Sequence, residues 1–354
     1  MNIRDLLSFT VKHDASDLHL LIGDLPTIRV DGNLIPVSNV PPMTKEMLEE
    51  MVYSILTPEQ KELLITNKEL DFSLSLTERQ EIIGRFRINA YYQKGGLAVA
   101  FRYLQPKIRS IEELGLPPIL HTFANLKQGF VLVTGPTGHG KSTALAAILQ
   151  EINTSRSEHI LTIEDPIEYI YPKGKGVFSQ REMTIDTHSW ALALKSALRE
   201  DPDVVLVGEM RDPETMAAAI TIAETGHLVF STLHTNSAAD SINRIVDSFP
   251  SHQQSQIRIQ LAATLKGIIS KRLLPKINGG RIPAAEILIG TPAVANNIRE
   301  AKTHLIDSII QTSQDVGMIT MDASLASLVL SGAVNLDVAK TYALHEQEFL
   351  RLVA

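Results

Sequence analysis

Cysteine is absent from all 354 residues, and that one gap excludes a disulfide framework, a thiolate zinc site, an iron–sulfur cluster and a cysteine nucleophile together. A reducing compartment is compatible with it. No stretch approaches the roughly 18 consecutive apolar residues of a membrane-spanning helix. The opening Met1-Asn-Ile-Arg-Asp-Leu-Leu7, followed by Lys12, His13 and Asp14, breaks up any apolar core of a secretory signal. The chain is therefore expected to be soluble and cytoplasmic. Basic residues are in deficit: 33 Lys and Arg against 40 Asp and Glu leave a net charge of −7. A broad phosphate-gripping surface does not fit that balance, so no nucleic-acid partner is expected. Internal repeats and low-complexity tracts are also missing.

What is present is apolar material enough for packed cores, 44% hydrophobic against 21% charged, in a length that suits two domains of roughly 100–200 residues each. Short β-like runs at 18–22, 27–30 and 34–37 break at Gly23 and at the turn dipeptide Asp31-Gly32. Helices follow from Thr44 to Leu56 and from Pro58 to Asn67, the second with Thr57 and Gln60 as a capping box and Pro58 in the first turn. Strands return at 71–76, 85–92 and 97–104. The proline-rich, charged stretch 105–118 then reads as a connector. Beyond it, apolar strands at 130–134, 160–164, 204–208 and 227–233 alternate with helical stretches, the pattern of a parallel sheet covered on both faces. After Thr291, an N-cap ahead of Pro292, only helical periodicity remains. The expected organisation is an α/β chain with an N-terminal domain over 1–104, a linker over 105–118, a sheet-based core over 119–290 and a C-terminal helical region over 291–354.

Gly135-Pro-Thr-Gly-His-Gly-Lys-Ser142 fits the phosphate-loop pattern, between an apolar strand and a helical stretch. Gly135, Pro136, Thr137, Gly138, His139 and Gly140 would form the phosphate-binding loop, whose glycines let backbone N–H groups turn toward the phosphates, and Thr143 follows in the helix. Lys141 would reach the β and γ phosphates, and the Ser142 hydroxyl would bind Mg²⁺. Glu209, at the carboxyl end of an apolar strand, suits the carboxylate that orients water. Gly208 stands before it where an Asp is usual, so a further carboxylate toward the metal, acting through water, has to come from elsewhere. Glu164, Asp165 and Glu168 are the candidates, unless they only cap the turn at Pro166. His227 and His234 bound another strand; His234 is either a γ-phosphate sensor or a solvated strand end. Arg85 and Arg87 leave one face of a strand, with Arg102 on a neighbouring one. They form either a polar outer face or arginines lent to a neighbouring subunit.

Together with Ala15-Ser-Asp-Leu-His-Leu20, these boxes (Thr162-Ile-Glu-Asp-Pro-Ile-Glu168, Leu198-Arg-Glu-Asp-Pro-Asp203, Gly208-Glu-Met-Arg-Asp-Pro-Glu-Thr215 and 226–236) resemble the type II/IV secretion ATPase superfamily over essentially the whole chain. The likeness is strongest to its pilus-retraction branch. It implies a PAS-like N-terminal domain, a RecA-like ATPase domain, ATP with Mg²⁺, and a hexameric ring. It further implies that Glu209 is catalytic and that Glu164, Glu168, His227, His234, Arg85, Arg87 and Arg102 serve the site. The implied activity is ATP hydrolysis that drives pilus retraction and twitching motility from the cytoplasmic face of the inner membrane, against a membrane platform protein. An accessory retraction ATPase and a regulator of the pilus base without turnover are the alternatives. An extension ATPase is disfavoured, since its tetracysteine zinc site cannot form here. Two positions depart from the family pattern: His139 replaces the usual Ser, and Ala293-Val-Ala-Asn-Asn-Ile-Arg-Glu300 carries Ala295 for an Arg and Asn297 for a Leu.

Overall fold

The computed structural model describes residues 2–30, 32–78, 81–104 and 107–354. Asp31 of the expected turn, and Gln105 and Pro106 at the start of the expected connector, lie outside the described residues. The chain forms two compact units: Met1–Lys107 with Pro166–Ile170, and Ile108–Asp165 with Tyr171–Ala354.

The first unit runs α1 (Ile3–Lys12), β1 (Asp17–Leu21), β2 (Thr27–Val30), β3 (Asn33–Pro36), α2 (Lys45–Tyr53), α3 (Pro58–Asn67), β4 (Glu69–Glu78), β5 (Glu81–Gln93) and β6 (Gly96–Leu104). Its strands form one antiparallel sheet in the order β3-β2-β1-β6-β5-β4. Reciprocal bonds between Asn2 and Asp5 start α1, which buries Ile3, Leu6, Leu7 and Thr10 at helical spacing. The capping box of Thr57 and Gln60 starts α3. Phe86, Ile88 and Phe101 face these helices' apolar residues in one core. The alternate positions of the same strands carry Arg85, Arg87 and Arg102, with Arg87 directly opposite Arg102.

The second unit holds α4 (Leu120–Ala124), β7 (Gly129–Thr134), α5 (Lys141–Ser155), β8 (His159–Glu164), β9 (Val177–Glu182), α6 (Trp190–Ala197), β10 (Val204–Val207), α7 (Pro213–Glu224), β11 (Leu228–Leu233), α8 (Ala238–Asp247), α9 (Ser251–Thr264), β12 (Leu265–Pro275) and β13 (Arg281–Ile289). The helices α10 (Pro292–Arg299), α11 (Ile306–Thr312), α12 (Met321–Leu330), α13 (Leu336–Lys340) and α14 (Glu346–Val353) complete it. The sheet order is β13-β12-β7-β11-β10-β8-β9, parallel except for β13. One set of inward side chains, among them Phe130, Leu132, Val205 and Val229, packs with α6–α10. The other, among them Val131, Val133, Leu206 and Phe230, packs with α4 and α5. This is the doubly covered parallel sheet that the apolar strands require.

The 107–118 stretch forms turns, and Ile111 and Leu116 are buried in the core beside α5, so this stretch is packed rather than free. No described helix is long and apolar enough to cross a membrane. The last helices pack on Leu274 and Ala284 at the ends of β12 and β13. Asp322, only 2% exposed, ties them down by accepting the backbone N–H groups of Leu344 at 2.8 Å and His345 at 2.9 Å. Asp322→Ala would strand both donors, and a loss of about 1–3 kcal/mol in urea unfolding is expected; an unchanged midpoint would show that the tail is held by its apolar contacts alone.

Candidate active site

In parallel strands all carboxyl ends reach one edge of the sheet, where ligands of such folds bind. Strand β7 ends there in the glycine loop, β11 in His234, β10 in Gly208-Glu209 and β8 in Glu164. Gly135 is required by space as well as by its φ of 139°, because a Cβ would lie 2.5 Å from the Lys271 carbonyl oxygen. Gly140 takes a left-handed conformation before α5, and no side chain caps that helix. The positive end of α5 is left to whatever the loop holds, which favours an anion.

Lys141 is buried, and its Nζ donates to the carbonyls of Gly135 at 2.8 Å and Pro136 at 3.2 Å. It also lies 3.5 Å from His234 Nδ1, which is 3.3 Å from Thr137 Oγ1. An ammonium only donates, so Nδ1 accepts and the imidazole proton is assigned to Nε2. That Nε2 sits 3.1 Å from Glu209 Oε1, while Arg211 Nη2 lies 3.0 Å from Oε2. Burial alone would push the Glu209 carboxyl up, but Arg211 together with His234 and Lys141 outweighs it and holds the group below its ordinary value. Glu209 is therefore ionised at neutral pH, the state in which a carboxylate can orient water.

Gly208 has a spatial reason for carrying no side chain: a Cβ would come within 3.1 Å of Ile163 O and 3.3 Å of Glu164 Cα. A carboxylate does stand next to that position: Glu164 Oε1 accepts from Thr162 Oγ1 at 2.7 Å at the end of β8. Ser142 and Glu164 offer oxygen donors only, and such a donor set fits Mg²⁺.

Other expected residues are placed elsewhere. His227 stands at the amino end of β11, where its Nδ1 is 3.0 Å from both Thr225 Oγ1 and Ile222 O. It lies roughly 23 Å along the strand from His234, at about 3.3 Å per residue, so the two histidines do not meet at one loop. Leu198–Asp203 also lies at amino ends, where Asp203 accepts from the His159 N–H at 2.8 Å and so joins β8 to β10. Glu168 belongs to the segment that groups with the first unit. In that unit Arg85 is buried and donates to Ile167 O at 2.7 Å, Ser75 Oγ at 2.9 Å and Ser73 Oγ at 2.6 Å. Arg102 is 66% exposed and pairs with Asp17 at 3.1 Å. In the 293–300 segment, Ala295 is half buried against the core and Asn297 Nδ2 donates back to Ala293 O at 2.9 Å.

Sequence reading missed β12 and β13, and with them Lys271, Arg272 and Glu286. All three are buried beside the loop's supporting strands, and Glu286 is pushed up to about 7, chiefly by burial. The available signal was charge inside an apolar run, Ile268-Ile-Ser-Lys-Arg-Leu-Leu274.

Residues 2–313 match the family described as type II/IV secretion system protein. The chain is 45% identical over 349 residues to the type IV pilus retraction ATPase PilT of Pseudomonas aeruginosa, covering 99% of this chain and 100% of that one. It is 48% identical over 316 residues to a twitching motility protein of Neisseria gonorrhoeae, covering 89% and 83%. Among solved structures, that of the pilus retraction motor PilT with bound ADP superposes with a TM-score of 0.91, at 44% identity and 99% coverage of both chains.

Proposed function

The chain belongs to the type II/IV secretion system protein family, and from that premise we propose that it is a Mg²⁺-dependent ATP hydrolase whose turnover drives retraction of a type IV pilus. The observation that carries the reading is the meeting of Lys141, His234 and Glu209 at the carboxyl ends of neighbouring parallel strands. Lys141 and the amino end of α5 hold the phosphates of ATP. Ser142, with Glu164, would hold Mg²⁺, which when bound neutralises phosphate charge. Glu209, kept ionised, orients the attacking water. His234 touches both Lys141 and Glu209, so it links occupancy of the phosphate site to the catalytic carboxylate.

The proposed assembly is a hexameric ring at the cytoplasmic face of the inner membrane, acting on a membrane-embedded pilus platform protein. Close full-length likeness to a retraction motor supports this reading. The first unit's arginines are proposed to complete a neighbour's site. Arg102, exposed and paired with Asp17, could do so at small cost, whereas Arg85, itself buried, would have to break its bonds to Ile167 O, Ser73 and Ser75.

Glu209→Gln keeps the shape and the uncharged hydrogen-bonding capacity while removing the carboxylate. It should retain ATP binding and lose about 10²–10⁴ in steady-state phosphate release; wild-type turnover would remove Glu209 from the mechanism. For action across subunits, Lys141→Ala and Arg102→Ala chains, each inactive alone, should regain phosphate release when co-assembled. Absence of rescue at every mixing ratio would leave Arg102 as an exposed partner of Asp17 with no part in a neighbour's site.

A further inference from the structure

Strand β12 grips the phosphate loop at two points that this chemistry does not use. Lys271, 3% exposed, donates from Nζ to Gly140 O at 2.8 Å. Two residues on, the Leu273 backbone N–H donates to His139 Nδ1 at 3.0 Å. The bonds reach consecutive loop residues immediately before Lys141, so β12 fixes the part of the loop that sets where Lys141 and the start of α5 lie.

The two latches differ in what a proton does to them. Lys271 donates, and burial depresses its ammonium to about 7, so acid only strengthens its donor state. His139 accepts, and accepting an N–H requires a lone pair on Nδ1. The charged groups acting on the ring are Arg272 and Lys271 of β12, Lys141 of α5 and Arg281 of β13, all cationic, and the Tyr342 ring lies 6.2 Å away. Burial first, then these charges, hold the imidazole below its ordinary 6.5. The latch is therefore intact above pH 6.5, and its contribution disappears as the pH falls through the lowered value.

We propose that His139 is a proton-sensitive positioning residue for nucleotide: neutral, it latches the phosphate loop to β12, and protonated it lets go and weakens nucleotide binding. The inference rests on the nucleotide-binding reading above. A serine at this position would take up no proton, so the sensitivity belongs to the imidazole.

The test is ADP affinity of the full-length chain at pH 7.5 and pH 5.5, measured for the wild type, His139→Asn and His139→Ser by a fluorescent ADP analogue. The amide oxygen of asparagine accepts from about the same place as Nδ1 and does not titrate. Acid should weaken wild-type binding about three- to tenfold more than it weakens either variant, the scale of one hydrogen bond. Normalising to the variants removes titration of the nucleotide and of every other group. Equal acid-to-neutral ratios in all three chains would overturn the inference while leaving the function reading intact. No ADP binding by the wild type at pH 7.5 would overturn the function reading itself and the inference with it. Far-ultraviolet circular dichroism at both pH values separates unlatching from unfolding, and loss of fold by the wild type alone at pH 5.5 would overturn the inference.

Discussion

Everything at the site depends on one constraint, the parallel register of β8, β10, β11 and β7. Val207 lies opposite both Ile163 and Ser231, and Leu233 lies opposite Thr134. Each strand therefore ends at the same edge within a residue or two, and the next residues of the chain, Glu164, Glu209, His234 and the glycine loop, have to converge. Packing against different helices on the two faces of the sheet fixes this register, because a slip by one residue would hand every side chain to the opposite core. Ser231 and Thr232 reinforce it with hydroxyl bonds to Val207 O at 2.7 Å and Gly208 O at 2.6 Å. The geometry of the site is thus a by-product of core packing, carried to the edge by short strands.

At that edge the electrostatics are cooperative. Glu209 is half buried and would resist ionisation on its own, yet Arg211, His234 and Lys141 together favour the charged form. His234 is the hinge of the arrangement, accepting on the loop side and donating to the carboxylate. A group bound by Lys141 would act on His234, and through it on Glu209, with no displacement of backbone required. The loop in turn leans on β12, whose Lys271 carbonyl leaves no room for a side chain at Gly135.

Much of this was legible in the sequence, and for identifiable reasons. The glycine loop, Glu209 and His234 follow runs of apolar residues long enough to read as strands, so their place at a carboxyl edge could be inferred. The missing carboxylate at Gly208 was visible too, but its cause, the backbone of Glu164 packed against that position, is a contact between strands and leaves no local mark. The helix α1 went unread although Asn2 and Asp5 form a capping box and its apolar residues keep helical spacing. Strand β12 was obscured by Lys271 and Arg272, since buried charge inside a strand is rare; the Gly140 carbonyl holds the first, and Asn236, the Lys271 carbonyl and the nearby Glu286 charge support the second. The expectation for His227 came from the family resemblance, and in this fold the length of Leu228–Leu233 stands between it and His234. The 166–170 excursion into the first unit has no sequence signature beyond Pro166.

Whether His234 works through Glu209 is decided by a double-mutant cycle on ATP hydrolysis. Phosphate release is measured at saturating ATP for the wild type, His234→Ala, Glu209→Gln and the double variant. If His234 acts through the carboxylate, its removal costs at least about tenfold in the wild type and nearly nothing once Glu209 is already Gln, a coupling of more than about 1 kcal/mol. Losses that simply multiply would show that the two side chains act independently, and would make the 3.1 Å contact between them incidental to the chemistry.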